Sequence, residues 1–593
     1  MLDWKELDPR RLASYWLAKV ANGIEDYYAG EGESAGEWHG TGASALGLEG
    51  QINGEDLTAV LRSEYGELQT MSRKVGPGHS PYSGGTPTVR RRPGWDFCFR
   101  APKSVSLIYG FSDLRAREAV IAAHDAAVKE ALTYAERQLT RTRRTINGRR
   151  QHVRGDGLIC ALFRHRISRA GDPLLHTHAL IVNATRDDRG RWLRLNAPWL
   201  LGPSKTLGYV YQAKLRAELT RRLGVEWEPV ARGYADVRGI RRQTIEAFSR
   251  RRNEILELLD RRGQRPEQAE AAQQAAYGTR RVKDRSLAPT ELREQWREYG
   301  REVGLDNHEI DQAIGRRCEA RPGSAEERRR VVTELTEEQG LVHEAASVTE
   351  HEIVRAVCQH LPDGADLPSI AACAEAVRRS PELVRLDQPE RSERVTEIRP
   401  EGARYTTRGL LAAERGLIEA ARAGQDAGAA VAPRRALKSV LADRHWRTLT
   451  AEQEEMVRRL AIHGDRLSVV RGDAGTGKTF ALGAYREVME RAGWRVAGAA
   501  NTRRAAAELA EVGITATSLA ATLAELKRSP QRSLGRRTIL IVDEAGTAST
   551  WDLQTLYRDV ERARGKLVLV GDPRQLGAIG PGGAFRSLLE RLD

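Results

Sequence analysis

FRHRISRAGDPLLHTHALIVN, residues 163–183, decides how the first half of this 593-residue chain is read. His165, His176 and His178 stand in an H-x10-H-x-H pattern, and the residues around them are apolar and β-prone. Side chains alternate along a strand, so His176 and His178 project from one face and can share an ion. Gly171, Asp172 and Pro173 supply a turn between the two runs, and a hairpin closed there brings His165 beside the pair. Three neutral imidazoles with coordination positions left open suit a catalytic divalent ion better than a closed structural site. The competing reading is three unrelated surface histidines.

Working outward, four segments, the histidine one included, fall in a fixed order. They are Ser14-Tyr15 with Glu25-Asp26-Tyr27-Tyr28, then EWHGTGASALGL from Glu37, GWDFCFRAPKSVS from Gly94, and the histidine segment itself. Together, over about the first 240 residues, they resemble the MobF-type conjugative relaxases. The resemblance implies a two-layer palm, an antiparallel sheet with helices packed on it, that nicks one DNA strand through a tyrosine. A phenolate attacks a phosphodiester and keeps the bond energy in a 5′-phosphotyrosine link for later rejoining. The metal, Mg²⁺, Mn²⁺ or Zn²⁺, would be held by His165, His176 and His178 and would polarise the scissile phosphate. Tyr15 is the expected first nucleophile and Tyr27 the second, with Tyr28 a packing aromatic. Trp16 follows Tyr15 where the family pattern has a second tyrosine, which bears on that division of labour. By the same resemblance Asp96 lies near the triad, where it orients a ligand ring or takes the tyrosine proton.

The charge balance agrees with a nucleic-acid partner: net +14, with arginine clusters at 141–150, 221–222, 241–242 and 250–252. RTRRTINGRR reads as a β-hairpin or loop with Asn147-Gly148 at its tip, able to reach DNA. Implied partners are single-stranded DNA at a transfer origin, relaxosome accessory proteins and a secretion coupling protein.

A second signal lies downstream. VVRGDAGTGKTF, residues 469–480, fits G-x-x-x-x-G-K-[ST] after an apolar strand, so the backbone of Gly472, Gly475 and Gly477 can cradle phosphates. Lys478 would bridge the β and γ oxygens of ATP and Thr479 would hold Mg²⁺. TILIVDEAG from Thr538 ends a strand in two carboxylates: Asp543 would hold the metal through water and Glu544 would orient the attacking water. Gln453 upstream suits adenine, NTRRAAAEL follows the P-loop, and Gln575 follows another strand in VGDPRQLGAIG. These look like the first RecA-like motor domain of a superfamily 1B helicase. The chain reaches Asp593 soon afterwards, so the motor is expected to be incomplete and to hydrolyse ATP poorly.

The resulting α/β partition is a relaxase core at 1–240, a helical appendage or fingers at 241–335, a small α/β or helical module with a linker at 336–435, and the motor at 436–593. Five cysteines without paired spacing read as reduced thiols in a cytoplasmic protein, and no run approaches about 20 apolar residues, so no membrane insertion is expected. Two other readings compete: a helicase-class DNA repair ATPase with an accessory DNA-binding N-terminal region, and a relaxase that has lost catalysis but still binds DNA. Only a metal-dependent transferase loses cleavage, and keeps DNA affinity, when His176 is removed.

Overall fold

The computed structural model describes residues 2–7, 36–72, 92–146, 149–168, 170–264, 289–305, 307–316, 323–337, 340–386, 403–472, 476–528, 534–573 and 580–592. They divide into two compact units, one of residues 1–332, 350–376 and 390–402, the other of 333–349, 377–389 and 403–593. The stretch 336–435, read from sequence as one module, is therefore shared between them.

The first unit is built on strands β1 (Leu2–Glu6), β2 (Glu37–His39), β3 (Gly94–Arg100), β6 (Cys160–Ile167) and β7 (Pro173–Val182). All neighbours are antiparallel, in the order β1-β3-β7-β6-β2, which puts β7 in the middle. The two faces of β7 have different fates. Leu175, Thr177, Ala179 and Ile181 are buried on one, as are Phe97 and Phe99 of β3. The helices Leu114–Tyr134 and Ser204–Leu223 pack closely together, and the first buries its alanines at 116, 123, 127 and 131. Phe99 meets Tyr211 of the second helix with ring centroids 5.4 Å apart. On the other face the apolar residues gather toward one end, where Leu180, Val182, Ala161, Phe163 and Trp38 share a core with Leu57 and Val60. This is the expected antiparallel sheet with helices on one side.

His124 ties the layers together. It is fully buried, one ring nitrogen hydrogen-bonding Tyr211 Oη and the other Thr177 Oγ1, both at 2.8 Å. Thr177 sits between the two clustered histidines of β7 but faces the helices. Burial, with Arg164 adding to it, pushes His124 from the usual 6.5 down to about 3. The native state thus prefers the neutral ring while the unfolded chain takes up a proton below 6.5. The stabilisation is complete above pH 6.5 and is lost as pH falls toward 3. His124→Ala strands two buried hydroxyls and opens a cavity, for an expected loss of about 3 kcal/mol. Amide exchange of β7 at neutral pH should accelerate by about a hundredfold.

The basic segment forms the expected hairpin, β4 (Arg141–Ile146) against β5 (Arg149–Arg154); its tip at 147–148 lies outside the described residues. Arg144 on it is held by Asp187, at 3.3 Å, and by Asp188. Short strands β8 (Thr185–Arg186) and β9 (Trp192–Leu193) pair nearby in sequence. Helices at Arg242–Ala247, Arg250–Arg261 and Pro289–Glu302 follow. Phe248 joins them to the sheet unit, its ring 5.3 Å from Phe111 and 5.1 Å from Tyr299. Residues 350–376 also belong to this unit: fully buried Arg216 donates to the carbonyls of Cys358 and Leu361 at 2.7 and 3.2 Å.

In the second unit β10 (Val348–Thr349), β12 (Arg404–Thr407) and β11 (Leu383–Leu386) form a small antiparallel sheet. The larger sheet is wholly parallel: β13 (Leu467–Arg471), β17 (Lys566–Gly571), β16 (Thr538–Asp543), β14 (Arg495–Ala500) and β15 (Thr515–Ser518), in that order. Both faces of its central strands are covered, which explains the unbroken apolar runs TILIV and LVLV. Ile539, Ile541, Val568 and Val570 pack with Leu482, Tyr485 and Trp446. Leu540, Val542, Leu567 and Leu569 pack with Leu417, Leu553 and Leu556. The expected RecA-like α/β layering is present. Among the described residues no helix is long and apolar enough to cross a membrane.

Candidate metal centre and nucleotide site

The β6–β7 turn sets the histidine cluster. Gly171 takes a φ of 79°, a left-handed conformation suited to glycine, and the Asp172 N–H donates to Ser168 Oγ at 3.1 Å. The hairpin register then places His165 directly opposite His176, as the spacing required. The three rings form a near-equilateral set, centroids 5.2 Å from His165 to His176, 5.2 Å from His165 to His178 and 5.3 Å from His176 to His178.

Asp96 arrives on β3, diagonally across from His178, whose Nδ1–H donates to Asp96 Oδ1 at 2.8 Å. The bond fixes the tautomer with Nε2 as the lone-pair nitrogen, the usual arrangement for a carboxylate-oriented ligand. His176 is oriented in the same sense, Nδ1 donating to the Leu174 carbonyl at 2.9 Å. Asp96 is 2% exposed. Burial alone would push its carboxyl up, but the His178 hydrogen bond and Lys5, 3.1 Å away on β1, hold it below the usual carboxylate range. A carboxylate so held keeps the His178 ring oriented. Imidazole donors, two of them buried, with a buried carboxylate behind the third, fit a divalent ion. Tyr15, Tyr27 and Tyr28 lie outside the described residues.

Four features here were not read from sequence. Lys5 beside Asp96 and His124 behind β7 depend on contacts between distant segments. Cys98 could have been found by alternation, two residues after Asp96 on the same face. The fourth is a latch on the turn. Arg250 donates to buried Asp172 at 2.5 Å and stacks on Tyr299 at 4.8 Å, and Trp296 Nε1 donates to the Gly171 carbonyl at 2.7 Å. Lys103 Nζ donates to the Pro173 carbonyl at 2.7 Å, and burial lowers its pKa to about 8. The helical appendage thus grips the turn joining the two histidine strands.

In the second unit the P-loop follows β13. The Gly472 N–H donates to the Gly571 carbonyl at 3.1 Å, and Lys478 Nζ donates to the Gly472 carbonyl at 2.5 Å. A Cβ at 472 would lie 2.1 Å from Lys478 Cδ, so the lysine stem lies directly against this glycine. Gly477, at φ 71°, begins the helix Lys478–Arg491, which carries Thr479 in its first turn. Gln453 Nε2 donates to the Thr476 carbonyl at 2.9 Å, while its Oε1 accepts from the Thr450 N–H at 3.0 Å. Gln453 therefore braces the loop and caps its own helix. Asp543 ends β16, Oδ1 accepting from the Glu544 N–H at 2.8 Å. Burial raises its pKa, while that N–H and then Lys478 pull it back. Glu544 is in the left-handed region, φ 54°, and accepts from Thr502 Oγ1 at 3.1 Å, which joins NTRRAAAEL to the acidic pair. Gly475 and Gln575 lie outside the described residues.

Residues 9–303 match the TrwC relaxase family and residues 448–593 an AAA domain. The multifunctional conjugation protein TraI of Escherichia coli is 29% identical over 333 residues, 53% of this chain and 18% of TraI. A probable conjugal transfer protein TraA of Sinorhizobium fredii is 32% identical over 259 residues, 42% of this chain and 22% of TraA. A solved structure of the conjugative relaxase TrwC in complex with oriT DNA, copper-bound, is 34% identical. It covers 52% of this chain and 100% of that one, with a TM-score of 0.45. The chain spans about a fifth of the length of the curated relatives it matches.

Proposed function

The chain belongs, through residues 9–303, to the TrwC relaxase family and carries an AAA domain behind it, and from that premise we propose a site- and strand-specific DNA strand transferase acting at a conjugative transfer origin. The observation that carries this reading is the set of three histidine rings within 5.3 Å of one another, one of them oriented by Asp96.

His165, His176 and His178 would hold a divalent ion, whose chemistry there would be to polarise the scissile phosphate and offset charge on its oxygens. Tyr15 attacks phosphorus through its phenolic oxygen. A tyrosine–phosphorus bond forms, the bond to the 3′ oxygen breaks, and that strand leaves with a 3′ hydroxyl while the 5′ phosphate stays on the protein. Asp96 holds the His178 ring, and the phenol proton ends on the departing 3′ oxygen, carried there by solvent or by Asp96. Tyr27 serves a later transfer in the same chemistry. In the second unit Lys478 and Thr479 would hold the phosphates of ATP with Mg²⁺, Asp543 would hold the ion through water and Glu544 would orient the attacking water. Export and accessory partners follow from the conjugation reading: relaxosome proteins, and a coupling protein of a secretion system.

The test is a denaturing gel. The purified chain with Mg²⁺ or Mn²⁺ is mixed with single-stranded oligonucleotides tiled across the DNA flanking its gene. A covalent adduct abolished by chelator and lost in Tyr15→Phe is expected, with Tyr27→Phe retaining the first cut. An adduct that survives both substitutions would sink the assignment of nucleophile, and tight binding without any adduct would favour a relaxase that has lost catalysis.

A further inference from the structure

Cys98 stands directly across from His178 in the β3–β7 register. The strand alternates sharply: Phe97 and Phe99 are buried on the helix side, while Asp96, Cys98 and Arg100 share the face of the histidines. Among the described residues, Cys98, His176 and His178 are the three metal-ligating side chains that each bring a ligand atom within 4.8 Å of the others. A buried cysteine is most often a small apolar filler. Here, however, it sits beside two imidazoles, and Arg100, paired with Asp3 at 2.6 Å, places a guanidinium next to the sulfur.

We propose that Cys98 is a sulfur donor of this metal centre, giving it a mixed nitrogen and sulfur character that selects thiophilic ions such as Zn²⁺ or Co²⁺ over Mg²⁺ and Mn²⁺. The inference rests on the reading of the histidine triad as a metal site. On coordination the metal–sulfur bond forms and the S–H bond breaks, the proton leaving to solvent, with no change of oxidation state. Arg100 offsets the charge left on sulfur. Thiolate and imidazole donors suit zinc and cobalt, whereas Mg²⁺ and Mn²⁺ favour oxygen. Zinc accepts a fifth ligand, so a sulfur donor does not close the centre to a phosphate oxygen.

Cobalt absorption reads this directly in the full chain. Titration with Co²⁺ is expected to give visible ligand-field bands together with a near-ultraviolet thiolate-to-cobalt charge-transfer band. Cys98→Ser should keep the visible bands, lose the charge-transfer band, and bind Zn²⁺ at least about tenfold more weakly, with Mg²⁺ affinity unchanged. Wild-type protein with visible bands that His176→Ala removes, but no charge-transfer band, overturns the sulfur donor and leaves the triad standing. A charge-transfer band that persists in Cys98→Ser does the same. Absence of any cobalt binding overturns both readings together. Should Cys98→Ser fail to fold by circular dichroism, Cys98→Ala supplies the same comparison, and the wild-type spectrum alone still decides against the proposal if sulfur is absent from it.

Discussion

Replacing His176 with alanine is expected to lower strand cleavage more than about a hundredfold while single-stranded DNA affinity stays within a few-fold of wild type. His176 is the residue to change because of where the register puts it. It faces His165 across the β6–β7 hairpin and lies two residues from His178, so it is the one member adjacent to both others along the sheet. Its removal leaves His165 and His178 on neighbouring strands, with the proposed Cys98 sulfur beside only one of them, a donor set that holds an ion far more weakly. The fold should tolerate the change, because the helix-facing half of β7, including Thr177 and its contact with His124, is untouched. DNA affinity should persist because the basic hairpin β4–β5 is a separate element, and phosphate contacts by arginine are insensitive to the ion. Adduct formation on a denaturing gel and fluorescence anisotropy of a labelled oligonucleotide separate the two effects. Equal loss of both would mean that the triad serves DNA binding or folding instead. Cleavage unchanged would favour the repair-ATPase reading, in which these histidines are dispensable.

The parts of this molecule that could be read from its sequence are the local ones. The histidine cluster follows from alternation along β7 and a Gly-Asp turn, both set within about 20 consecutive residues. The P-loop is likewise one contiguous string. Asp96 is different: its partner His178 is 82 positions away, and only resemblance to a family brought it to the site. Lys5 and His124 had no motif to mark them, and Arg250, read as part of a basic cluster for DNA, instead reaches across 78 residues to Asp172, while His124 bridges the two layers of the sheet unit. Cys98 was legible by the same alternation that paired His176 with His178, but a buried cysteine among phenylalanines reads first as core. Gln453 shows the reverse case. Thr450-x-x-Gln453 is a capping-box signature at the head of a helix, and the structure shows that box formed, a local role that the reading of an adenine-binding glutamine passed over.

Lys478→Ala should weaken ATP binding by about one to two orders of magnitude, the loss expected when a charge-assisted hydrogen bond to phosphate is removed. Lys478 opens the helix Lys478–Arg491, its ammonium lies against the Gly472 carbonyl at 2.5 Å, and its charge reaches Asp543 at the end of β16. The Gly472 carbonyl is a partner that phosphate oxygens can replace at little cost, since the lysine needs only to swing on its flexible stem. Asp543 supplies a second, independent sign. Because burial raises its carboxyl and Lys478 pulls it down, removing the lysine should raise the Asp543 pKa further and weaken Mg²⁺ alongside the nucleotide. Titration with a fluorescent ATP analogue, with and without Mg²⁺, reads both. The decisive comparison is crossed: Lys478→Ala should leave the covalent DNA adduct intact, and His176→Ala should leave nucleotide binding intact, because their side chains belong to different compact units. If Lys478→Ala bound nucleotide as tightly as wild type, the P-loop would not be the phosphate site. If either change abolished both activities, the two chemistries would not be separable in the way the fold divides them.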